Sequence, residues 1–184
     1  MNIIVAVSSN WGIGYKNDLL FRISPDLKRF KKLTMGKTII MGRNTFKSLP
    51  NQQPLPGRRN IVMSRDPRLE IPGAYVANSK EQVMEMVNCS ELFASQKAAS
   101  RPRLSSRFID EVFIIGGEQI YELFLDDCTR VYLTKVRAAP PADAFFPNLD
   151  EKPEWHLAHK SELHYADGYE FMYYELVKEK KGEQ

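Results

Sequence analysis

Cysteine is scarce in this chain. Cys89 and Cys128 are the only two in 184 residues, far apart and outside any C-x-x-C pairing. That excludes a disulfide framework and makes a reducing cytoplasm the default compartment. Cys128, within FLDDCTRVYL, reads as a small buried residue. Long hydrophobic runs are also lacking. The start, MNIIVAVSSN, has no basic lead-in and five apolar residues in a row, too few for a signal peptide or a membrane span, so it is expected to be a first strand. A charge excess is missing too: 26 Lys and Arg against 23 Asp and Glu leave +3, which argues against a nucleic-acid partner and for a small phosphate or carboxylate ligand. The three histidines, His156, His159 and His164, sit in EWHLAHKSELHYA without H-E-x-x-H spacing or a nearby cysteine. A solvated strand and turn is expected there, and no metal site. There is no G-x-S-x-G, and neither cysteine has a basic helix-start setting, so nucleophilic catalysis finds no support.

What is present is an alternation of short β-rich runs and helical patterns, at 43% apolar and 27% charged residues. That composition and length suit one globular domain over 1–184, with no internal repeat and no linker. The pattern predicts an α/β fold: a central, mostly parallel twisted sheet of about eight strands, helices on both faces, and an antiparallel C-terminal strand. Strands are expected at 2–9, 37–42, 58–64, 74–78, 111–117, 130–136 and 168–177, and helices at 24–35, 43–49, 79–88 and 118–125. In SPDLKRFKKLTM, Ser24 is expected as N-cap, Pro25 at the first helical position, and Leu27, Phe30 and Leu33 on one side. Residues 89–108, rich in Ser, Ala, Lys and Arg, read as an insertion with no catalytic role, and the charged tail 178–184 as frayed.

Three strand ends offer phosphate binding. IIMGRNTF passes through Gly42 to a helix start with Arg43 and Thr45; FIIGGEQIY does the same with Gly116 and Gly117; IVMSRD supplies Ser64 and Arg65. Glycine lets backbone N–H groups approach an anion, and a helix start adds partial positive charge. Neither G-x-G-x-x-G nor the P-loop pattern occurs, so no single junction is decisive; three together favour a nucleotide with several phosphates. Arg43 and Arg65 suit a further phosphate such as the 2′-phosphate of NADP, or are solvated surface charges. In PLPGRRNIV a stiff turn could hold Arg58 for a ligand carboxylate, or leave it in solvent. In FRISPDLKRF, Asp26 stands beside apolar Phe21, Leu27 and Phe30. It is either an acid favoured by the helix start or a site residue held in an apolar place.

Taken in order, VAVSSNWGIGYKNDLL, PDLKRFKKLT, TIIMGRNTF, LPGRRNIVMS, FIIGGEQIY and YLTKV resemble the dihydrofolate reductase family, from about Asn2 to Val177 apart from the insertion. The resemblance implies reduction of 7,8-dihydrofolate by NADPH, with hydride passing to C6 and a proton to N5. It places Asp26 against the 2-amino group and N3 of the pterin, with Thr134 hydrogen-bonded to Asp26 or the pterin amino group. On this resemblance a water would deliver the N5 proton while Asp26 orients and polarises the ring. Val5, Ala6 and Ile115 would line the pterin and nicotinamide pockets, with Leu27, Phe30 and Leu49 as apolar walls. Arg58 would hold the α-carboxylate of the glutamate tail, with Lys31 at the rim. Ile13, Gly14 and 15–20, including Leu19, would form a mobile lid. Gly42, Asn44, Thr45, Gly116, Gly117, Glu118, Gln119, Ile120 and Tyr121 would surround the cofactor, and Arg43, Ser64 and Arg65 its 2′-phosphate.

Some positions depart from the family pattern. Phe21 stands at the catalytic position where many members have a tryptophan whose N–H holds a water, and phenylalanine cannot donate. Leu20 replaces a usual proline, Gln119 a cofactor-side arginine of some members, and Ala142 a common glycine, which puts the coupling of lid and 143–149 loop in question. A related reductase of riboflavin synthesis would share the cofactor half but lack the PDLKRF acid and PLPGRR arginine as a pair. A non-catalytic nucleotide-binding module would need no acid in an apolar pocket. Nothing in the sequence requires more than a monomer, and a cytoplasmic monomer is expected.

Overall fold

The computed structural model describes residues 1–88 and 111–178; the expected insertion, Cys89 and the tail beyond Lys178 lie outside them. In chain order the strands are β1 (Asn2–Val7), β2 (Gly12–Tyr15), β3 (Asp18–Leu19), β4 (Thr38–Gly42), β5 (Arg59–Met63), β6 (Tyr75–Ala77), β7 (Val112–Gly116), β8 (Arg130–Val136), β9 (Ala144–Phe145), β10 (Trp155–Lys160), β11 (His164–Ala166) and β12 (Tyr169–Lys178). The helices are α1 (Ser24–Thr34), α2 (Arg43–Ser48), α3 (Lys80–Asn88) and α4 (Glu118–Phe124).

The main sheet runs β10-β12-β8-β1-β7-β4-β5-β6, with β11 also paired to β12. From β8 to β6 all neighbours are parallel, while β12 is antiparallel to β8, β10 and β11. The expected architecture, about eight strands with an antiparallel end, is what forms.

Strand periodicity divides the core between the two faces. Val5, Ile40, Ile61 and Ile114 join Val83 of α3 and Tyr121 and Phe124 of α4 on one side. Their sequence neighbours Ile4, Ile39, Val62 and Phe113 join Phe30 of α1 and Phe46 of α2 on the other. Such two-sided burial is why these strands read as continuous apolar runs.

Two expectations at element ends need correction. Ser24 is the first helical residue, and Ile23 holds the extended N-cap position with no side-chain cap. Its carbonyl accepts from the Leu27 N–H, and the Ser24 N–H donates to Asp167 Oδ2 at 2.6 Å. A carboxylate from the β11–β12 turn thus satisfies a helix-start donor, and Pro25 moves to the second helical position. Nor does fraying begin at 178: the Lys178 N–H donates to the Thr129 carbonyl, and Nζ lies 3.0 Å from Asp126 Oδ1. By contrast Ser79 does cap α3, its Oγ accepting from the Gln82 N–H at 3.2 Å.

Candidate active site

The carboxyl ends of β1, β4, β5 and β7 open into a cleft of about 1200 Å³. Every residue expected around the cofactor lines it: Ala6, Ile13, Gly14, Leu19, Gly42, Arg43, Asn44, Thr45, Ser64, Arg65, Gly116, Gly117, Glu118, Gln119, Ile120 and Tyr121. Val5, Phe21 and Ile115 line it too, whereas Asp26, Leu27, Phe30, Lys31, Leu49, Arg58 and Thr134 lie beyond its boundary.

Backbone dominates the cleft's nucleotide side. Gly116 has φ of +135°, and a Cβ there would stand 3.1 Å from Thr45 Oγ1. At Gly117 the same oxygen would be 3.2 Å away. A side chain at either position would press on Thr45, so the two bare glycines let α2 pack close against the β7–α4 turn at the cleft lining. Tyr121 fixes the start of α4, its buried hydroxyl donating to the Ile4 carbonyl at 2.9 Å. Further along, Arg43 Nη1 is 3.6 Å from Asp66 Oδ2, and Arg65 is exposed. Ser64 Oγ accepts from the Asp66 N–H, while Asn78 Nδ2 donates to the Ser64 carbonyl at 2.8 Å. This end of the cleft is cationic and tightly tied.

The residues expected as a lid form a hairpin on the cleft rim. Gly14 pairs with Leu19 and Tyr15 with Asp18, across a turn in which Lys16 and Asn17 have φ of 52° and 63°. Positive φ at both turn residues matches the right-handed strand twist. On its other edge β2 pairs with β9, the Lys16 N–H donates to Asp143 Oδ2 at 2.9 Å, and the Asp143 N–H to the Gly14 carbonyl at 3.1 Å. Lid and 143–145 segment are joined although Ala142 stands where glycine is common. Gly12 makes the room: a Cβ on it would come within 2.7 Å of Ala142 Cβ.

The acid pocket is built from side chains. Thr134 Oγ1 donates to Asp26 Oδ1 at 2.6 Å, joining α1 to β8 across 108 positions of sequence. Burial raises the Asp26 carboxyl above its ordinary pKa; the Thr134 bond and the charge of Arg29 pull against that rise. Arg58 lies with Cζ 5.7 Å from the Phe30 ring centre, and its buried Nε has no hydrogen-bond partner among the described residues. Phe30 and Leu49 are half-buried against the α1-side core, Leu27 is 45% exposed and Lys31 is exposed. Phe21 is buried, with its ring edge-on to Tyr169.

Sequence reasoning missed Arg29, Asp66, Asn78 and Asp143. The 3-residue step from Asp26 to Arg29 on one helix was a usable signal, as was the Lys16–Asn17 turn between alternating residues.

A parallel sheet with an anion-ready cleft at its carboxyl edge and a half-buried carboxylate beside it defines a nucleotide-cofactor-binding α/β protein. Comparison with known proteins narrows the class. The family model "Dihydrofolate reductase" matches residues 1–178. The chain is 35% identical over 180 residues to a dihydrofolate reductase of Bacillus subtilis strain 168, covering 95% of this chain and 94% of that one. It is 34% identical over 177 residues to one of Neisseria meningitidis serogroup A, covering 95% and 96%, and 36% identical over 158 residues to one of Aedes albopictus, covering 80% and 79%. The chain belongs to the dihydrofolate reductase family.

Proposed function

We infer that this chain reduces 7,8-dihydrofolate to 5,6,7,8-tetrahydrofolate with NADPH, supplying one-carbon metabolism. The observation that carries the reading is the half-buried Asp26, hydrogen-bonded to Thr134 beside a glycine-floored cleft. NADPH fits the cleft: the bare Gly116–Gly117 backbone that lines it suits a pyrophosphate, and Arg43, Ser64 and Arg65 suit a 2′-phosphate. When bound, NADPH supplies the hydride that reduces C6 of the pterin.

The protein's own residues position and polarise. Thr134 engages Asp26 Oδ1, so the carboxylate is turned with Oδ2 offered to the 2-amino group and N3 of the substrate. Half-burial strengthens that grip, because the low local dielectric weakens competition from water. Asp26 orients the ring, and a water brings the proton to N5. Phe21 has no donor with which to hold that water, so other groups place it. Arg58, with an unpartnered Nε over Phe30, receives the glutamate carboxylate. The β2–β3 hairpin excludes water from the cleft.

A monomeric cytoplasmic enzyme without a nucleic-acid partner completes the reading, supported by the small net charge of +3. Among the described residues no helix is long and apolar enough to cross a membrane. The test is direct. Protein mixed with dihydrofolate and either coenzyme should consume NADPH rapidly and NADH slowly, followed by the absorbance of reduced nicotinamide. No consumption of either would overturn the assignment.

A further inference from the structure

Three residues on from Asp26, α1 carries an arginine for which nothing above has given a role. Arg29 is held unusually for a cation. Its guanidinium carbon lies 4.4 Å from the ring centre of Tyr173 on β12 and 5.6 Å from that of Tyr132 on β8. Nη1 is buried and has no hydrogen-bond partner among the described residues. Strand register explains the platform. Tyr132 and Thr134 are two apart on β8 and share a face, and Tyr173 pairs directly with Thr134 across the antiparallel ladder. Two aromatic faces and the Asp26 hydrogen-bond donor therefore come from one patch of sheet, and α1 lays Asp26 and Arg29 on it.

We propose that Arg29 is a positioning residue for Asp26: clamped over Tyr173 and Tyr132, it holds a positive charge on the same patch of sheet from which Thr134 grips the carboxylate. The proposal rests on the assignment of Asp26 to the substrate grip. An isolated carboxylate that loses water favours its neutral form, and a neutral acid would grip a ring N–H and amino group poorly. Thr134 supplies one compensating hydrogen bond, and Arg29 supplies the compensating charge. The two do not substitute for each other. The hydroxyl turns Oδ1, whereas the guanidinium acts through space on the whole carboxylate.

Other groups facing Asp26 cannot take this part. Tyr121 of α4 and Tyr173 of β12 both feel the Asp26 charge, and burial pushes both phenols above their ordinary values. Both are therefore uncharged where a carboxylate titrates. Thr134 is neutral at any pH. Among the described residues Arg29 is the cation whose charge reaches Asp26. Stacking suits arginine to the task, because a planar delocalised cation holds its place on aromatic faces where a lysine ammonium would swing toward solvent.

The test reads Asp26 itself in the apoenzyme, by NMR of isotope-labelled aspartate carboxyls, with Asp26→Asn identifying the signal. Arg29→Met and Arg29→Gln should each move its midpoint up, the direction expected for losing an opposite charge. Arg29→Lys should hold the midpoint closer to its original place. In the reductase assay the low-pH limb of kcat/KM should move with the neutral variants, while the NADPH Kd stays put. A midpoint unmoved in both neutral variants overturns the proposal, and so does a lysine variant that shifts as far as the methionine one. The unmutated protein reads the coupling from the other side. The Arg29 Nε–H signal should shift as Asp26 titrates, and a signal that stays still across that midpoint also overturns it. Failure here is distinct from failure of the catalytic reading, which falls if the protein consumes neither coenzyme or if Asp26→Asn keeps its turnover.

Discussion

At the Gly116–Gly117 turn the chain removes side chains; around Asp26 it crowds them together. At the proposed nucleotide side of the cleft two consecutive residues are bare, where any Cβ would press on Thr45 Oγ1 at 3.1 Å and 3.2 Å. The acid pocket exists because α1, β8 and β12 bring Asp26, Arg29, Thr134 and Tyr173 onto one face of the sheet. Backbone binds any suitably shaped anion and tolerates change around it. A pocket of side chains fixes charge and direction, and it fails when a single member is lost. The two regions should then break in different ways.

The largest expected effect is at the acid. Asp26→Asn should lower turnover at neutral pH by about a hundredfold or more, within the range for losing a positioned acid–base or polarising group. NADPH affinity, measured by fluorescence titration, should change little. The turnover loss should shrink at acid pH, where the substrate protonates itself. Equal loss of coenzyme affinity would erase the division between the regions.

The converse experiment is Gly116→Ala. Gly116 has φ of +135°, outside the range of ordinary side-chain-bearing residues, and the new methyl would press on Thr45. Strain of about 1–3 kcal/mol lowers stability, and a turn that shifts to relieve it should present its backbone poorly and bind NADPH more weakly. The Asp26 titration should stay in place. A Gly116→Ala protein that binds NADPH normally would show that the cradle is not built on bare backbone.

These two regions also differ in how visible they are in a sequence. Gly42, Gly116 and Gly117 stand at strand ends, where a missing side chain has a local meaning, and they line the cleft, as do the further cofactor-side residues that the resemblance implied. Strand positions were legible for a similar reason: two-sided burial writes unbroken apolar runs such as TIIM and VFII. The acid pocket was not local. Asp26 alone could be a helix-start acid, and only Thr134, 108 positions away, makes it more. Arg29 looked like one more charge in LKRFKK until β8 and β12 placed tyrosines beneath it. The same limit produced the error at Ser24, whose N–H is satisfied by Asp167 from the far end of the chain. The pairing of β2 with β9 is not local either: the resemblance raises it, Ala142 puts it in question, and a partner strand of two residues gives the pattern little to show.

A middle-sized effect concerns coenzyme choice. Arg43→Ala with Arg65→Ala should narrow the preference for NADPH over NADH by about tenfold, since forked charged donors to a phosphate are worth on the order of 1.5–3 kcal/mol and exposed ones less. Arg43 is already opposite Asp66 at 3.6 Å, so part of its charge is engaged before any ligand arrives. The ratio of Kd values for the two coenzymes decides the matter, and a double variant that keeps the full ratio would remove both arginines from the 2′-phosphate site.

The smallest effect is on stability, and its sign separates a strained acid from a merely polar one. Burial raises the Asp26 pKa in the folded protein above the unfolded value. Between those two values the folded state binds more protons than the unfolded one, so stability falls as pH rises through the window and stays lower above it. An asparagine in its place would carry no such proton, and the amide carbonyl can still accept from Thr134. Asp26→Asn should therefore raise Tm at neutral pH, and the gain should fade as pH drops below the ordinary carboxylate range. In a chain of this size each kcal/mol recovered reads as roughly 2–4 °C. Thermal melts of both proteins across pH give the answer. A variant less stable than the original at neutral pH would mean that Thr134 and Arg29 already repay the desolvation of the carboxylate in full, and that the acid pocket carries no more strain than the glycine cradle opposite.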